Sequence, residues 1–288
     1  MEWKYLGLGA ILAAGIGGGS AAMPASPCPV GASVHAEAKA LLACLRRLED
    51  QPTGLAAFSE TELNEEADFR YSETARVGSR ESAQIVAILT EELESRRPPA
   101  GGSRSAGGYA ALMLAGDLSA ALAEARDKHM PIHGWDKVAF RPLENRASRL
   151  EHYWTFSEDG ASLTEQEIDL STGSHIIVYA APGCGRCAAA ANEIPKIESL
   201  APTFARKSLW VSFPDANFSA DYYNDWRRRH AEFPTNVILD RANWPRRTLD
   251  ATPYFVFMKD GVVVAEVIGW FGPEKASRFE RAVALISE

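Results

Sequence analysis

The 288-residue sequence has little of several features that would define its class at once. Basic residues are fewer than acidic ones: 30 Lys and Arg against 38 Asp and Glu give a net charge of -8. Nucleic-acid binding is therefore not expected, because phosphate contacts need clustered cations. Repeated long apolar runs are absent, which excludes a multi-span membrane protein. With 46% hydrophobic and 24% charged residues, the composition is that of a folded protein large enough for two domains.

Charge is absent from the N-terminal segment between Tyr5 and Val34. An apolar, glycine-interrupted run over residues 6–16 is followed by small residues with the spacing Ser20-x-Ala22. This pattern is typical of a secretory signal peptide, and the apolar run is shorter than a membrane span. We expect a signal peptide over residues 1–22 and an exported, periplasmic or otherwise extracytoplasmic protein. An uncleaved membrane anchor and a disordered tail are the alternatives.

The four cysteines lie in two pairs, Cys28 with Cys44 and Cys184 with Cys187. An even number in an exported chain indicates disulfides, and proximity in sequence favours these two among three connectivities. Cys28 precedes a predicted helix that contains Cys44, so a bridge would tie the mature N-terminus to that helix. Closing this loop contributes about 3 kcal/mol in the chain-entropy model. A second redox couple and free or intermolecular thiols are the alternatives for this pair.

Two regions of different patterning follow the signal. Residues 23–148 are predicted to form an all-α domain with no visible chemistry. Its helices are expected over residues 32–50, 79–96 and 109–129, with a flexible loop over residues 97–108. Residues 149–288 alternate short apolar runs with helical stretches, which predicts an α/β sheet with helices on both faces. Its strands are expected over residues 153–157, 161–164, 176–180, 209–213, 235–239, 254–258 and 262–268, and its helices over residues 188–200, 221–230 and 274–286.

The motif that carries chemistry is Cys184-Gly185-Arg186-Cys187, where a predicted strand ends and a predicted helix begins. The N–H groups and partial positive charge of a helix N-terminus stabilise a thiolate, so the pKa of Cys184 should be lowered. Arg186 adds a nearby positive charge. Cys187 lies one helical turn further on the same face, so the pair can close a small disulfide. Cys184 would be the attacking sulfur, and Cys187 would resolve the mixed disulfide.

Residues 150–288 resemble a thioredoxin-fold thiol–disulfide oxidoreductase in three features that occur in order. These are the strand followed by Cys184-Gly185-Arg186-Cys187, Thr252-Pro253 at the start of a strand, and the Asp260-Gly261 hairpin followed by Gly269. The leading hairpin and the long stretch between Cys187 and Pro253 are similar to the exported TlpA-like branch. The resemblance implies a C-terminal thioredoxin-like domain, a mixed sheet flanked by helices, after the all-α N-terminal domain.

The resemblance also implies roles for single residues. Pro253 would be cis and face the disulfide, where it blocks metal capture, and the backbone at Thr252 would pair with a bound peptide. The Gly185-Arg186 dipeptide would tune the reduction potential. The sequence departs from the family at Gly183, where many members have Trp, and at Val178, where thioredoxin has a buried Asp that moves protons.

Together these features predict an exported enzyme that exchanges disulfides with cysteine-containing client proteins and with a redox partner protein. No cofactor and no metal site are expected. A membrane is expected as a partner only if the signal is uncleaved, and a homodimer through the helical region stays open. The direction, reductase or isomerase, is also open. The alternatives are a thioredoxin-like scaffold with an inert disulfide and a chaperone that holds a soft metal ion, such as copper, between the two thiolates.

Overall fold

A computed structural model describes residues 28, 37–49, 54–96, 107–130, 134–145, 149–214, 219–241, 244–245 and 251–287. The predicted signal peptide and nearly all of the predicted loop over residues 97–108 lie outside the described residues. None of the helices within the described ranges combines the length and hydropathy needed to cross a membrane.

The N-terminal region is helical where it is described. Its helices are α1 (Ala38–Glu49), α2 (Glu60–Val77), α3 (Arg80–Arg96), α4 (Gly107–Leu114) and α5 (Leu118–Asp127). The sequence patterns did not predict α2, although its first turn carries a capping box. The Ser59 hydroxyl accepts from the Glu62 N–H at 3.2 Å, and the Glu62 carboxylate accepts from the Ser59 N–H at 2.8 Å. These reciprocal bonds explain where the helix starts.

The single helix predicted over residues 109–129 is wrong, because the chain is interrupted between α4 and α5. Gly116 has φ +72°, and a Cβ there would collide with the carbonyl group of Leu239. Asp117 then starts α5 by accepting a hydrogen bond from the Ala120 N–H at 3.2 Å. The break therefore comes from close approach of a distant backbone, which local periodicity does not report.

The strands of the described residues form one mixed sheet in the order β1-β3-β2-β6-β5-β4-β7-β8. Their bounds are β1 (Ala139–Arg141), β2 (Glu151–Phe156), β3 (Ser162–Ile168), β4 (Ser174–Tyr179), β5 (Ser208–Ser212), β6 (Asn236–Val237), β7 (Tyr254–Lys259) and β8 (Val262–Ile268). The helices of this half are α6 (Gly185–Glu193), α7 (Ala201–Lys207), α8 (Ala220–Arg229) and α9 (Ser277–Leu285). The helix predicted over residues 188–200 is wrong in its bounds: it ends at Glu193, and a 3₁₀ turn over Ile194–Lys196 contains Pro195.

The central strands have a thioredoxin-like arrangement. Strand β4 leads through α6 to β5, which is parallel to it, and β7 lies antiparallel on the other side of β4. Strand β8 pairs antiparallel with β7, and α9 follows and packs against the sheet. The predicted fold class, a thioredoxin-like α/β region preceded by a helical region, is confirmed.

The helical region packs directly on the sheet rather than standing apart from it. Trp154 and Phe156 of β2 share one core cluster with Leu112 of α4 and Leu122 of α5. Strand β1 extends the sheet from within residues 23–148, where only helices were expected. The proposed division into residues 23–148 and 149–288 stays a prediction, since both parts contribute to this core.

Arg241 joins the end of α2 to the sheet. Its guanidinium is buried, lies 4.2 Å from the ring centroid of Phe213, and donates to the carbonyl oxygens of Ala75 and Pro214 at 3.3 and 3.4 Å. Ala75 lies in the last turn of α2, where exposed carbonyl groups favour a cation. Burial lowers the pKa of Arg241 to about 10, so it stays charged at neutral pH.

We expect Arg241→Leu to lower the free energy of unfolding by about 2–3 kcal/mol, because the buried carbonyl group of Pro214 and the part-buried one of Ala75 lose their donor. Urea unfolding measures the change. The matched control is Arg228→Leu, at a side chain that is 72% exposed, which should change stability by less than about 0.5 kcal/mol. Equal effects of the two substitutions would contradict the role given to Arg241.

His230, which follows α8, has a buried side chain. Neither ring nitrogen has a partner among the described residues, and the ring packs on Trp226 with centroids 4.3 Å apart. Burial lowers the pKa of His230 below 6.5, and Arg229 lowers it further, while Asp225 acts in the opposite direction. The folded protein therefore holds this ring neutral at neutral pH.

This lowered pKa predicts a loss of stability in mild acid. Below its ordinary pKa the histidine of the unfolded chain binds a proton that the folded chain does not, so stability should fall as the pH drops through about 6. In His230→Leu the decrease in the urea midpoint between about pH 7.5 and pH 5 should become smaller. His175→Gln, at a ring hydrogen-bonded to the Thr172 carbonyl oxygen, is the control and should keep the wild-type decrease.

Candidate redox site

Cys184 stands at the junction between β4 and α6. It is the N-cap residue of α6, with extended backbone angles, and its Sγ accepts from the Cys187 N–H at 3.2 Å. The structure pairs Cys184 with Cys187 in a disulfide, with Cα atoms 5.2 Å apart. The turn between strand and helix thus holds one sulfur at the helix start and the other on the first turn.

The two cysteines differ in burial. Cys184 is partly exposed, whereas Cys187 is fully buried among apolar residues of α6 and β7, including Ala190 and Phe255. Val178 is also fully buried there, between Trp210 and Phe255 of the neighbouring strands. An incoming protein can therefore approach Cys184 but not Cys187.

Thr252 and Pro253 lie beside Cys184 although 68 residues separate Thr252 from it. The Thr252–Pro253 peptide bond is cis, and the Thr252 carbonyl oxygen lies 3.6 Å from the Cys184 sulfur. Pro253 is buried and Thr252 is half-buried. The pairing of β4 with β7 brings these segments together, because Tyr179 at the end of β4 is opposite Tyr254 at the start of β7.

Gly183, Gly185 and Arg186 form the exposed surface around Cys184. A Cβ added to either glycine would meet no atom within 4 Å. Steric crowding therefore does not require glycine at these positions, and an open surface surrounds the accessible sulfur. The guanidinium of Arg186 lies 5.1 Å from the ring centroid of Phe271.

Trp270 and Phe271 are residues of the site that sequence reasoning missed. They lie between Gly269 and Gly272, which have φ +75° and +97°, directly after β8. The Trp270 indole donates to the Glu193 carboxylate of α6 at 2.6 Å and fixes this loop, while Phe271 is 48% exposed. The sequence signal that could have indicated this loop is the pair of aromatic residues between two glycines directly after a predicted strand.

Cys28 and Cys44 form the second disulfide, with Cα atoms 5.8 Å apart. Their side chains are 1% and 8% exposed. They pack in a cluster with apolar residues of α1, α2 and α3. This bridge offers no accessible sulfur.

No protein-family model and no curated protein sequence matches the chain. Among solved structures, a thioredoxin-like protein from Bacteroides caccae matches with 11% sequence identity and a TM-score of 0.33. The match covers 86% of this chain and 83% of that chain. Such a likeness adds nothing to the strand order described above, which defines the fold as thioredoxin-like.

The burial of the four sulfurs predicts a selective labelling pattern. After mild reduction with glutathione and its removal, a maleimide should modify Cys184 in the native protein. Cys187 should react only after unfolding, because a buried thiol is inaccessible to the reagent, and Cys28 and Cys44 only after unfolding and full reduction of their disulfide. Mass spectrometry of proteolytic peptides assigns the modified residue. Native-state labelling of Cys28 or Cys44 at the rate of Cys184 would contradict the prediction.

Proposed function

We propose that the chain is an exported thiol–disulfide oxidoreductase that exchanges disulfides with the cysteines of client proteins. The observation that carries this proposal is the unequal exposure of a cysteine pair at the start of α6. Cys184 is accessible beside the Thr252 carbonyl group, and Cys187 is buried directly behind it. This arrangement separates a sulfur that meets the client from a sulfur that completes the reaction.

In the reducing direction, the Cys184 thiolate attacks one sulfur of a client disulfide. A mixed disulfide forms, and the other client sulfur leaves as a thiolate that takes a proton from solvent. The Cys187 thiolate then attacks the Cys184 sulfur, which releases the second client thiolate and forms the Cys184–Cys187 disulfide. Two electrons pass to the client, and a redox partner protein must return them. Run backwards, the same steps donate a disulfide.

The residues around the pair support these steps. A helix N-terminus favours the thiolate form of its N-cap cysteine, and Cys184 occupies that place in α6. We assign to the Thr252 backbone the pairing with the client segment. To Pro253 we assign the exclusion of metal ions from the two sulfurs. Gly183, Gly185 and Arg186 form the surface that the client contacts.

Export is part of the proposal and rests on the sequence. The pattern of residues 1–22 is typical of a signal peptide, and two disulfides suit an oxidising compartment. The client proteins would then be exported as well, as are the clients of the TlpA-like branch that the sequence resembles.

We expect Cys187→Ser to accumulate a mixed disulfide with a client, because the resolving sulfur is missing, and Cys184→Ser to abolish exchange. Non-reducing electrophoresis with a disulfide-bonded test protein measures both. The control is the Cys28→Ser, Cys44→Ser double variant, which should exchange at the wild-type rate but lose about 3 kcal/mol of stability. Exchange that persists in Cys184→Ser would exclude this function, and a disulfide that resists glutathione would favour an inert scaffold.

A further inference from the structure

Arg186 places an exposed positive charge in the surface that the client contacts. Its side chain is exposed between the two cysteines, and among the described residues no carboxylate pairs with it. Its contact is the ring of Phe271, 5.1 Å from guanidinium carbon to ring centroid. A ring below a guanidinium orients the cation without neutralising it.

The acidic groups nearest in the chain are directed elsewhere. Glu193 of α6 accepts the hydrogen bond of the Trp270 indole. The carboxylate of Glu274 lies against the backbone of Gly272 on the loop that carries Phe271. Lys275 follows it with a second exposed positive charge. As far as the described residues show, the cation next to Cys184 therefore keeps its field toward solvent, where a client would arrive.

The open surface at Gly183 and Gly185 lets a client backbone come close on either side of Cys184. In an extended segment, the residues flanking the client cysteine lie about 3.5 Å along the chain from it. The Arg186 side chain starts two residues from Cys184, so these flanking side chains come within its reach. An acidic side chain there would meet a cation, and a basic one would be repelled.

We propose that Arg186, oriented by Phe271, is a specificity residue that selects client cysteines flanked by Asp or Glu. The proposal rests on the thiol–disulfide exchange proposed above and names the substrate class of the same site. For an exposed pair of charges about 5 Å apart, the preference should be about three- to tenfold in rate at low salt and should decrease as salt is added.

The test uses the reduced full chain and symmetric peptide disulfides that are identical except for the residues flanking cysteine, which are Asp, Asn or Lys. Chromatography of the released thiols gives a rate constant for each peptide. Wild type should reduce the Asp peptide fastest and the Lys peptide slowest. In Arg186→Gln the Asp-to-Asn ratio should fall to about one, and in Arg186→Glu the order should reverse.

The ratio of the rate constants for two peptides separates selection of the client from the reactivity of Cys184. Arg186 lies between the cysteines, so its replacement can change the reactivity of Cys184, but such a change affects both peptides equally. Lys275→Gln removes the same charge from the neighbouring loop and should leave the ratio unchanged. Phe271→Ala should reduce the ratio, and Phe271→Tyr should preserve it, because tyrosine keeps the ring below the guanidinium.

The outcomes distinguish this inference from the proposed function. If the peptides are reduced but Arg186→Gln keeps the wild-type ratio, Arg186 does not select the client, although the chain is an oxidoreductase. An equal decrease of the ratio in Lys275→Gln and Arg186→Gln would also overturn the assignment, because overall charge would then explain it. If no peptide is reduced, the exchange activity itself fails, and this inference fails with it.

Discussion

The site depends on the antiparallel pairing of β4 with β7. Tyr179 is opposite Tyr254, so the chain leaves β4 toward Cys184 at the same edge where it enters β7 through Thr252 and Pro253. A shift of one residue would move every side chain of β7 to the other face of the sheet. Phe255 and Phe257 are fully buried against α6 and α9 on one face, and Tyr254 and Val256 are buried on the other. The burial of both faces therefore fixes the register that places a carbonyl group beside the redox sulfur.

The parts of the site that depend on residues close in sequence could be predicted. The strand before Cys184 and the hairpin at Asp260-Gly261 follow from local patterns and lie where they were predicted, while the helix after Cys184 was predicted with the wrong bounds. The contact between Arg186 and Phe271 joins residues 85 positions apart, and no local pattern reports it. The break at Gly116 and the burial of Arg241 were missed for the same reason, since each depends on the backbone of a distant segment. The capping box at Ser59 was visible in the sequence, and α2 could have been predicted from it.

The helical region and the β2–β3 hairpin stabilise each other. The hairpin connects to the central strands through β6, which has two residues and pairs with β2 at Trp154 and Val237. So short a ladder provides few backbone hydrogen bonds. The burial of Trp154 and Phe156 against α4 and α5 adds the apolar contacts that hold the hairpin in place. On the other side, the Arg227 guanidinium of α8 donates to the carbonyl oxygens of Phe156, Ser157 and Glu158. Arg227 thus fixes the hairpin turn, whereas the exposed Arg228 and Arg229 that follow it pair with Asp225.

Charge and apolar packing are divided between the two cysteines of the redox site. Cys187 lies in an apolar environment, with Val178 and not a carboxylate on the strand beneath it. The acid of α6, Glu193, is hydrogen-bonded to Trp270 and holds the loop that carries Phe271. Among the residues that the structure describes, the charged groups at this site therefore lie at the surface around Cys184, and the core behind it is apolar. If the chain exchanges disulfides as proposed and Arg186 selects the client, this charge acts at the surface, whereas Cys187 reacts from an apolar environment.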